Sequence, residues 1–157
     1  MKKEKIYLDT SVISFFYADD APEQRDITRK FFTELQKGAY EVYISALVFQ
    51  EIAGCSQQRQ EELTEVIKAA NVKILNITEE VEKLAEQIVA EGVIPPKYDE
   101  DALHLAVAVF YEIDYLASWN FKHIVKIKTK RMVTSIAIRE GYRGIQIITP
   151  TEVLEND

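Results

Sequence analysis

The chain has 157 residues, 47% of them hydrophobic and 29% charged, which excludes bulk disorder and leaves room for one domain. Its net charge of −7 argues against DNA binding by overall charge, and its single cysteine, Cys55, excludes an internal disulfide framework and a multi-cysteine zinc site. No run of 18 apolar residues occurs, and Asp9 interrupts the apolar Ile6-Tyr7-Leu8 near the start, so no membrane span or signal peptide is expected and a cytoplasmic protein is the default.

Lys5–Leu8 reads as a short buried strand that stops at Asp9. The stripe of Ile27, Phe31, Phe32 and Leu35 predicts a helix over 26–35, with Gly38 as its stop. Glu41–Ser45 is rich in β-formers. Ser45 then reads as the cap of a helix reaching about Ala53, ended by Gly54. Leu63, Val66, Ile67 and Ala70 give a helix over 59–70, and Val72–Ile77 alternates like a strand. Thr78 is expected to cap a helix with Val81, Leu84, Ala85 and Ile88 on its apolar face, ending near Gly92.

Pro95-Pro96 forces a break. Asp99 then reads as the cap of a strongly apolar helix to about Tyr111, followed by a strand at 114–118, a helix at 129–140 with Gly141 as its stop, and a strand at 144–148. Pro150 can open a last short helix. Strands alternating with helices predict an α/β fold in a single domain: a parallel sheet of about five strands with helices on both faces. Sites in open sheets of this kind lie at the carboxyl ends of the strands.

Three acids fall at or beside those ends. Asp9 closes the first strand, with the hydroxyls of Thr10 and Ser11 next to it. Glu51 sits on the helix after the second strand among Leu47, Val48 and Ile52, where burial without a partner costs several kcal/mol. Asp101 lies in the first turn of the helix after Pro95-Pro96, where the helix dipole favours an ionised acid. Each also has a plain structural reading: Asp9 and Asp101 as helix-start residues, Glu51 as a solvent-facing one. The fourth strand ends in Ser118-Trp119-Asn120, which offers an amide oxygen. If these edges converge, three carboxylates share one space, and repulsion raises their pKa values unless a cation is present. Oxygen ligands without a His or Cys cluster point to Mg²⁺ or Mn²⁺. A carboxylate-held cation with open positions suits phosphodiester hydrolysis by an activated water.

The stretches Tyr7 to Val12 (YLDTSV), Ser45 to Glu51 (SALVFQE), Asp101 to Ala106 (DALHLA), Leu116 to Ile124 (LASWNFKHI) and Gly141 to Leu154 (GYRGIQIITPTEVL) together resemble the PIN domain family. Within that family the chain most resembles the VapC-type ribonuclease toxins of toxin–antitoxin modules. The resemblance spans nearly the whole chain, 1–157, and rests on the order and spacing of the motifs. It implies a Mg²⁺- or Mn²⁺-dependent endoribonuclease cutting single-stranded RNA, acting as a homodimer and inhibited by a cognate antitoxin. Position by position, it implies Asp9, Glu51 and Asp101 as catalytic acids and metal ligands. Thr10, Ser11 and Ser118 match the supporting hydroxyl positions. Asn120 stands where many members have Asp, so a second metal would be held more weakly and Asn120 would orient a ligand water.

His104, one turn past Asp101, reads as a satisfied structural histidine or as a proton relay beside the site. The segment 113–148 carries net charge +5 against −12 elsewhere, and Lys122, His123 and Lys126 within it are the candidate RNA contacts. Trp119 and Phe121 lie among them as core residues or stacking platforms. Phe15, Phe16 and Tyr17 form an apolar cluster that is core or a partner surface. A dehalogenase-type phosphatase would need Asp where Ser11 stands, and no phosphate-binding glycine loop is present. The alternative from another class is a catalytically weak PIN-like module that binds RNA or protein.

Overall fold

In the computed structural model, which describes residues 2–155, the first strand runs over Glu4–Leu8 (β1) and forms the middle of the sheet. Its core residues Ile6, Tyr7 and Leu8 are fully buried, as a central parallel strand covered on both faces requires. The other strands are Tyr40–Ser45 (β2), Lys73–Leu75 (β3), Tyr115–Ala117 (β4) and Gln146–Ile148 (β5). All pairs are parallel, and the order is β3-β2-β1-β4-β5.

Eight α-helices are present among the described residues: Thr10–Ser14 (α1), Pro22–Leu35 (α2), Ala46–Ile52 (α3), Gln57–Ala69 (α4), Glu79–Ala90 (α5), Asp99–Phe110 (α6), Ile127–Arg139 (α7) and Pro150–Glu155 (α8). None is long and apolar enough to cross a membrane. The period of two along β1 divides the core. Ile6 and Leu8 face Phe31, Leu63, Ile67 and Val153 of α2, α4 and α8. Tyr7 faces Leu84, Ile88, Leu105 and Val133 of α5, α6 and α7.

The architecture expected from the sequence is therefore the observed one, with local differences. The short α1 follows the helix-start reading of Asp9, which caps it by accepting from Val12 N at 3.2 Å. A 3₁₀ turn over Phe15–Tyr17 follows, its rings half-buried against the core. Helix α2 starts at Pro22, four residues before the expected start at Asp26, because proline is preset for a first helical turn. Thr78 caps α5 through its bond from Val81 N, as expected. Gly38 and Gly141 follow α2 and α7 with φ of +86° and +88°, the left-handed geometry that lets glycine stop a helix.

Of two further expected caps, Ser45 takes the cap position of α3 without a side-chain capping bond and Asp99 does not take the cap position of α6. Ser45 precedes α3 in extended geometry but makes no capping bond; its hydroxyl is used by Tyr7, 2.8 Å away. Asp99 lies inside the first turn of α6, after a 3₁₀ turn at Pro96–Tyr98 that the proline pair sets up, and the cap position falls to Tyr98. The strands β3, β4 and β5 are three residues each, shorter than the runs expected for them.

Candidate functional site

The chain lays β2 and β3 to one side of β1 and then crosses to lay β4 and β5 on the other. The order reverses between β1 and β4, and the crevice beyond the carboxyl ends of such a pair is where doubly wound sheets bind ligands. Asp9 leaves β1 there, and Ser118-Trp119-Asn120 leaves β4.

Two serines join those ends. Ser11 Oγ donates to Asp9 Oδ1 at 2.5 Å and accepts from Trp119 N at 2.9 Å. Ser118 Oγ donates to Asp9 Oδ2 at 2.5 Å and accepts from Asn120 N at 2.9 Å. Both Asp9 oxygens are thus held, and the carboxylate is only 3% exposed. Burial pushes its pKa up, against the pull of His104, the two serines and Val12 N.

Glu51 reaches the same cleft from α3. Its Oε1 takes the Nε2 of His104 at 2.8 Å. His104 is buried, and its Nδ1 meets Tyr7 Oη at 2.6 Å. Thr10 Oγ1 lies 3.4 Å from the same Nε2. Of the two readings of His104, the satisfied histidine matches these bonds, and its partner is one of the candidate acids.

Asp101 enters from the first turn of α6, half-buried. Burial raises its pKa, countered by His123, by a hydrogen bond from Asn120 and by His104. Asn120 Oδ1 accepts from His123 N at 3.0 Å, which turns the amide nitrogen toward Asp101, the only end of the side chain able to donate to a carboxylate. Asn120 thus bonds the backbone through its oxygen and Asp101 through its nitrogen, with one lone pair and one N–H remaining.

Asp9, Thr10, Ser11, Ser14, Glu51, Asp101, His104 and Asn120 line one cleft of about 250 Å³. Every candidate acid is therefore at the cleft, and no lysine or arginine is among these lining residues. Glu100, beside it, is also pushed up, first by desolvation and then by Glu51 and Asp99. Among the described residues, no three His, Cys, Asp or Glu side chains stand close enough to hold a metal jointly. Mg²⁺ ordinarily takes one or two carboxylates and keeps several waters. A hard-oxygen cleft with raised carboxylates and no lysine or arginine in its lining fits such an ion.

The basic candidates divide. Lys122 is exposed, its Nζ 5.4 Å from the centre of the Tyr98 ring, and Lys126 is half-buried before α7. His123 is not a surface residue: its ring packs on Tyr98 with centroids 4.3 Å apart, and Thr129 Oγ1 donates to its carbonyl at 2.6 Å. Its Nε2 is buried and takes no hydrogen bond from the described residues. Trp119 is core, donating from Nε1 to Thr28 Oγ1 at 2.8 Å, whereas Phe121 is half exposed. Sequence reasoning missed Ser14, Tyr7 and Ser45 as parts of this neighbourhood. Tyr7 reads as a plain core residue, and no local signal marks it.

The PIN domain family model matches residues 6–122. Among solved structures, the chain resembles VapC20 of Mycobacterium tuberculosis, described as a sarcin–ricin loop cleaving toxin, with a TM-score of 0.60 at 16% identity, over 76% of this chain and 92% of that one. It also resembles DNA-bound VapBC from Salmonella typhimurium, with a TM-score of 0.58 at 19% identity, over 94% of this chain and 98% of that one. At these identities the likeness is one of fold. No curated protein matches the sequence.

Proposed function

The chain belongs to the PIN domain family, and from that premise we propose that it is a Mg²⁺- or Mn²⁺-dependent endoribonuclease of single-stranded RNA, the toxin of a toxin–antitoxin pair. The observation that carries the reading is the cleft beyond β1 and β4, lined by Asp9, Glu51 and Asp101 without a lysine or arginine. Of those acids one or two would hold the cation directly and the rest through water. When bound, it supplies Lewis-acid activation of water and charge neutralisation at the phosphate. Ser11 and Ser118 fix both Asp9 oxygens, and Asn120 fixes Asp101. Lys122 and Lys126, on the loop leaving β4, supply positive charge for the RNA backbone.

The sarcin–ricin loop cleaving toxin and the VapBC assembly among its fold neighbours support an RNA substrate and a cognate antitoxin. A homodimer of one cytoplasmic nuclease domain spanning 1–157 belongs to the same reading. A second reading is a PIN-like module that binds RNA or protein without cutting. Asn120 favours it, because an amide bonded to Asp101 adds no charge for a second cation.

RNA cleavage by the purified protein tests both, with wild type beside Asp9→Asn, in Mg²⁺ or Mn²⁺ and in chelator. The nuclease reading expects cutting that needs metal and is lost in the variant. RNA binding that survives chelator and Asp9→Asn, with no cutting, would favour the binding module.

A further inference from the structure

Ser45 ends β2 at the mouth of α3, where a serine ordinarily caps the helix, yet it makes no capping bond. Its hydroxyl instead meets Tyr7 Oη at 2.8 Å, Tyr7 Oη meets His104 Nδ1 at 2.6 Å, and His104 Nε2 meets Glu51 Oε1 at 2.8 Å. Ser45 and Tyr7 are completely buried and His104 is 2% exposed. The chain thus crosses from β2 through β1 to α6 and ends on an acid of the cleft.

Its bonding order follows from what each group can donate. An ionised carboxylate only accepts, so the hydrogen between His104 and Glu51 sits on Nε2. With a single ring hydrogen, on Nε2, the imidazole offers Nδ1 as an acceptor and Tyr7 donates to it. Burial holds Tyr7 strongly in its phenol form, and Ser45 donates to its oxygen. Each hydroxyl hydrogen has one acceptor, so no polar atom of the chain is left unpaired.

We propose that His104 is a positioning residue for Glu51, locked by Tyr7 and Ser45 in the tautomer that donates from Nε2. It rests on the nuclease reading above for what Glu51 does, but not for the bonding order. Glu51 is a long side chain on a seven-residue helix, and with Oε1 committed to His104 its other oxygen is presented to the cleft in one setting. Thr10, next to Asp9, touches the same Nε2 at 3.4 Å, so His104 also joins the segments that carry two of the acids. Groups that hold a ligating side chain in this way typically change metal affinity by about 10–100-fold when removed.

The test uses the full chain and two readouts. The first is Mn²⁺ affinity by electron paramagnetic resonance for wild type, Tyr7→Phe, His104→Gln and His104→Leu, with thermal unfolding in chelator alongside. Tyr7→Phe should weaken Mn²⁺ about tenfold and His104→Leu by about 10–100-fold. His104→Gln, which can place a donor near the former Nε2, should recover most of that loss even where its melting temperature matches that of His104→Leu. Wild-type affinity in Tyr7→Phe and His104→Leu, or equal losses in the Gln and Leu variants, would overturn the proposal.

The second readout is the ¹⁵N spectrum of the histidine rings, with His104 assigned by its absence in His104→Gln. The proposal expects a protonated Nε2 and a bare Nδ1, with the pattern changed in Tyr7→Phe. A protonated Nδ1 in wild type would overturn it. No Mn²⁺ binding by wild type would instead sink the nuclease reading, and the ring spectrum would still decide the chain's order.

Discussion

Ser118 Oγ donates to Asp9 Oδ2 at 2.5 Å, across 109 residues of sequence, and the same oxygen accepts the Asn120 N–H. One hydroxyl therefore fixes a buried acid at the end of β1 and shapes the loop leaving β4. Ser118→Ala would leave a buried carboxylate oxygen and a backbone N–H without their partner. Hydrogen bonds to charged groups contribute about 1.5–3 kcal/mol, so a loss near 2 kcal/mol is expected in metal-free protein, read by urea unfolding. Cleavage should fall as well. Unchanged unfolding in Ser118→Ala would show that water replaces the hydroxyl fully.

The metal-free protein should lose stability as pH rises out of the acid range. Burial holds the pKa of Asp9 and of Asp101 above the ordinary aspartate value of 3.8. Between that value and the raised ones the folded state binds more protons than the unfolded chain, so the slope of stability against pH is negative there and levels off above. Glu41 and Glu91 act in the opposite sense. Hydrogen bonds from Tyr43 and Arg139 lower them, but both lie at the solvent-screened surface and their contribution is small. Glu100 is raised as well, and Asp9→Asn removes the most deeply buried of these acids. In chelator it should be more stable than wild type at neutral pH, with a shallower dependence. Parallel urea titrations of the two proteins from about pH 4 to about pH 7 decide this, and a wild type that gains stability throughout would contradict it.

Asn120→Asp tests what the amide does for Asp101. Asn120 Oδ1 is held by His123 N at 3.0 Å, so the substitution replaces the donor facing Asp101 with a second negative oxygen. In chelator the variant should unfold more easily than wild type, and Asp101 should titrate higher still. The added charge should also draw a divalent cation more tightly. Mn²⁺ at 100 times its dissociation constant adds about 2.7 kcal/mol, or roughly 5–10 °C for a chain of this size. The melting temperature of Asn120→Asp should therefore rise more with Mn²⁺ than that of wild type. Equal rises in the two proteins would mean that residue 120 stands outside the cation's reach.

What was legible in the sequence is what local pattern encodes. The apolar Ile6-Tyr7-Leu8 stopped by Asp9, the acid after Pro95-Pro96 and the strand ending at Ser118 mark the carboxyl edge, because strand ends and helix starts have short-range signals. Glu51 stood out as a carboxylate in an apolar segment. The bonds among these residues were not legible. Tyr7 pairs with Ser45 and His104 at separations of 38 and 97 residues, and nothing near Tyr7 separates it from any aromatic in a buried strand. Ser45 carries every local mark of a helix cap, and only its distant partner takes it away. His123 looks like a loop residue among lysines, but the loop folds its ring under Tyr98.

The last relationship lies behind the site rather than in it. Trp119 stands between Ser118 and Asn120, its Nε1–H donates to Thr28 Oγ1 at 2.8 Å, and Thr28 in turn donates to Gln24 O at 2.7 Å. Thr28 is fully buried on α2, so this pair anchors the loop leaving β4 to a helix outside the cleft. Thr28→Val keeps the shape but leaves the indole N–H buried without an acceptor, which costs about 1–3 kcal/mol. The variant should unfold earlier, by roughly 2–12 °C at the 2–4 °C per kcal/mol usual for this size, with Trp119 fluorescence following the same transition. Asp9 keeps both serines in this variant, so metal-dependent cleavage below the transition should stay close to wild type. A variant as stable as wild type but inactive would mean that the anchor sets the position of Ser118 and Asn120 rather than the strength of the fold.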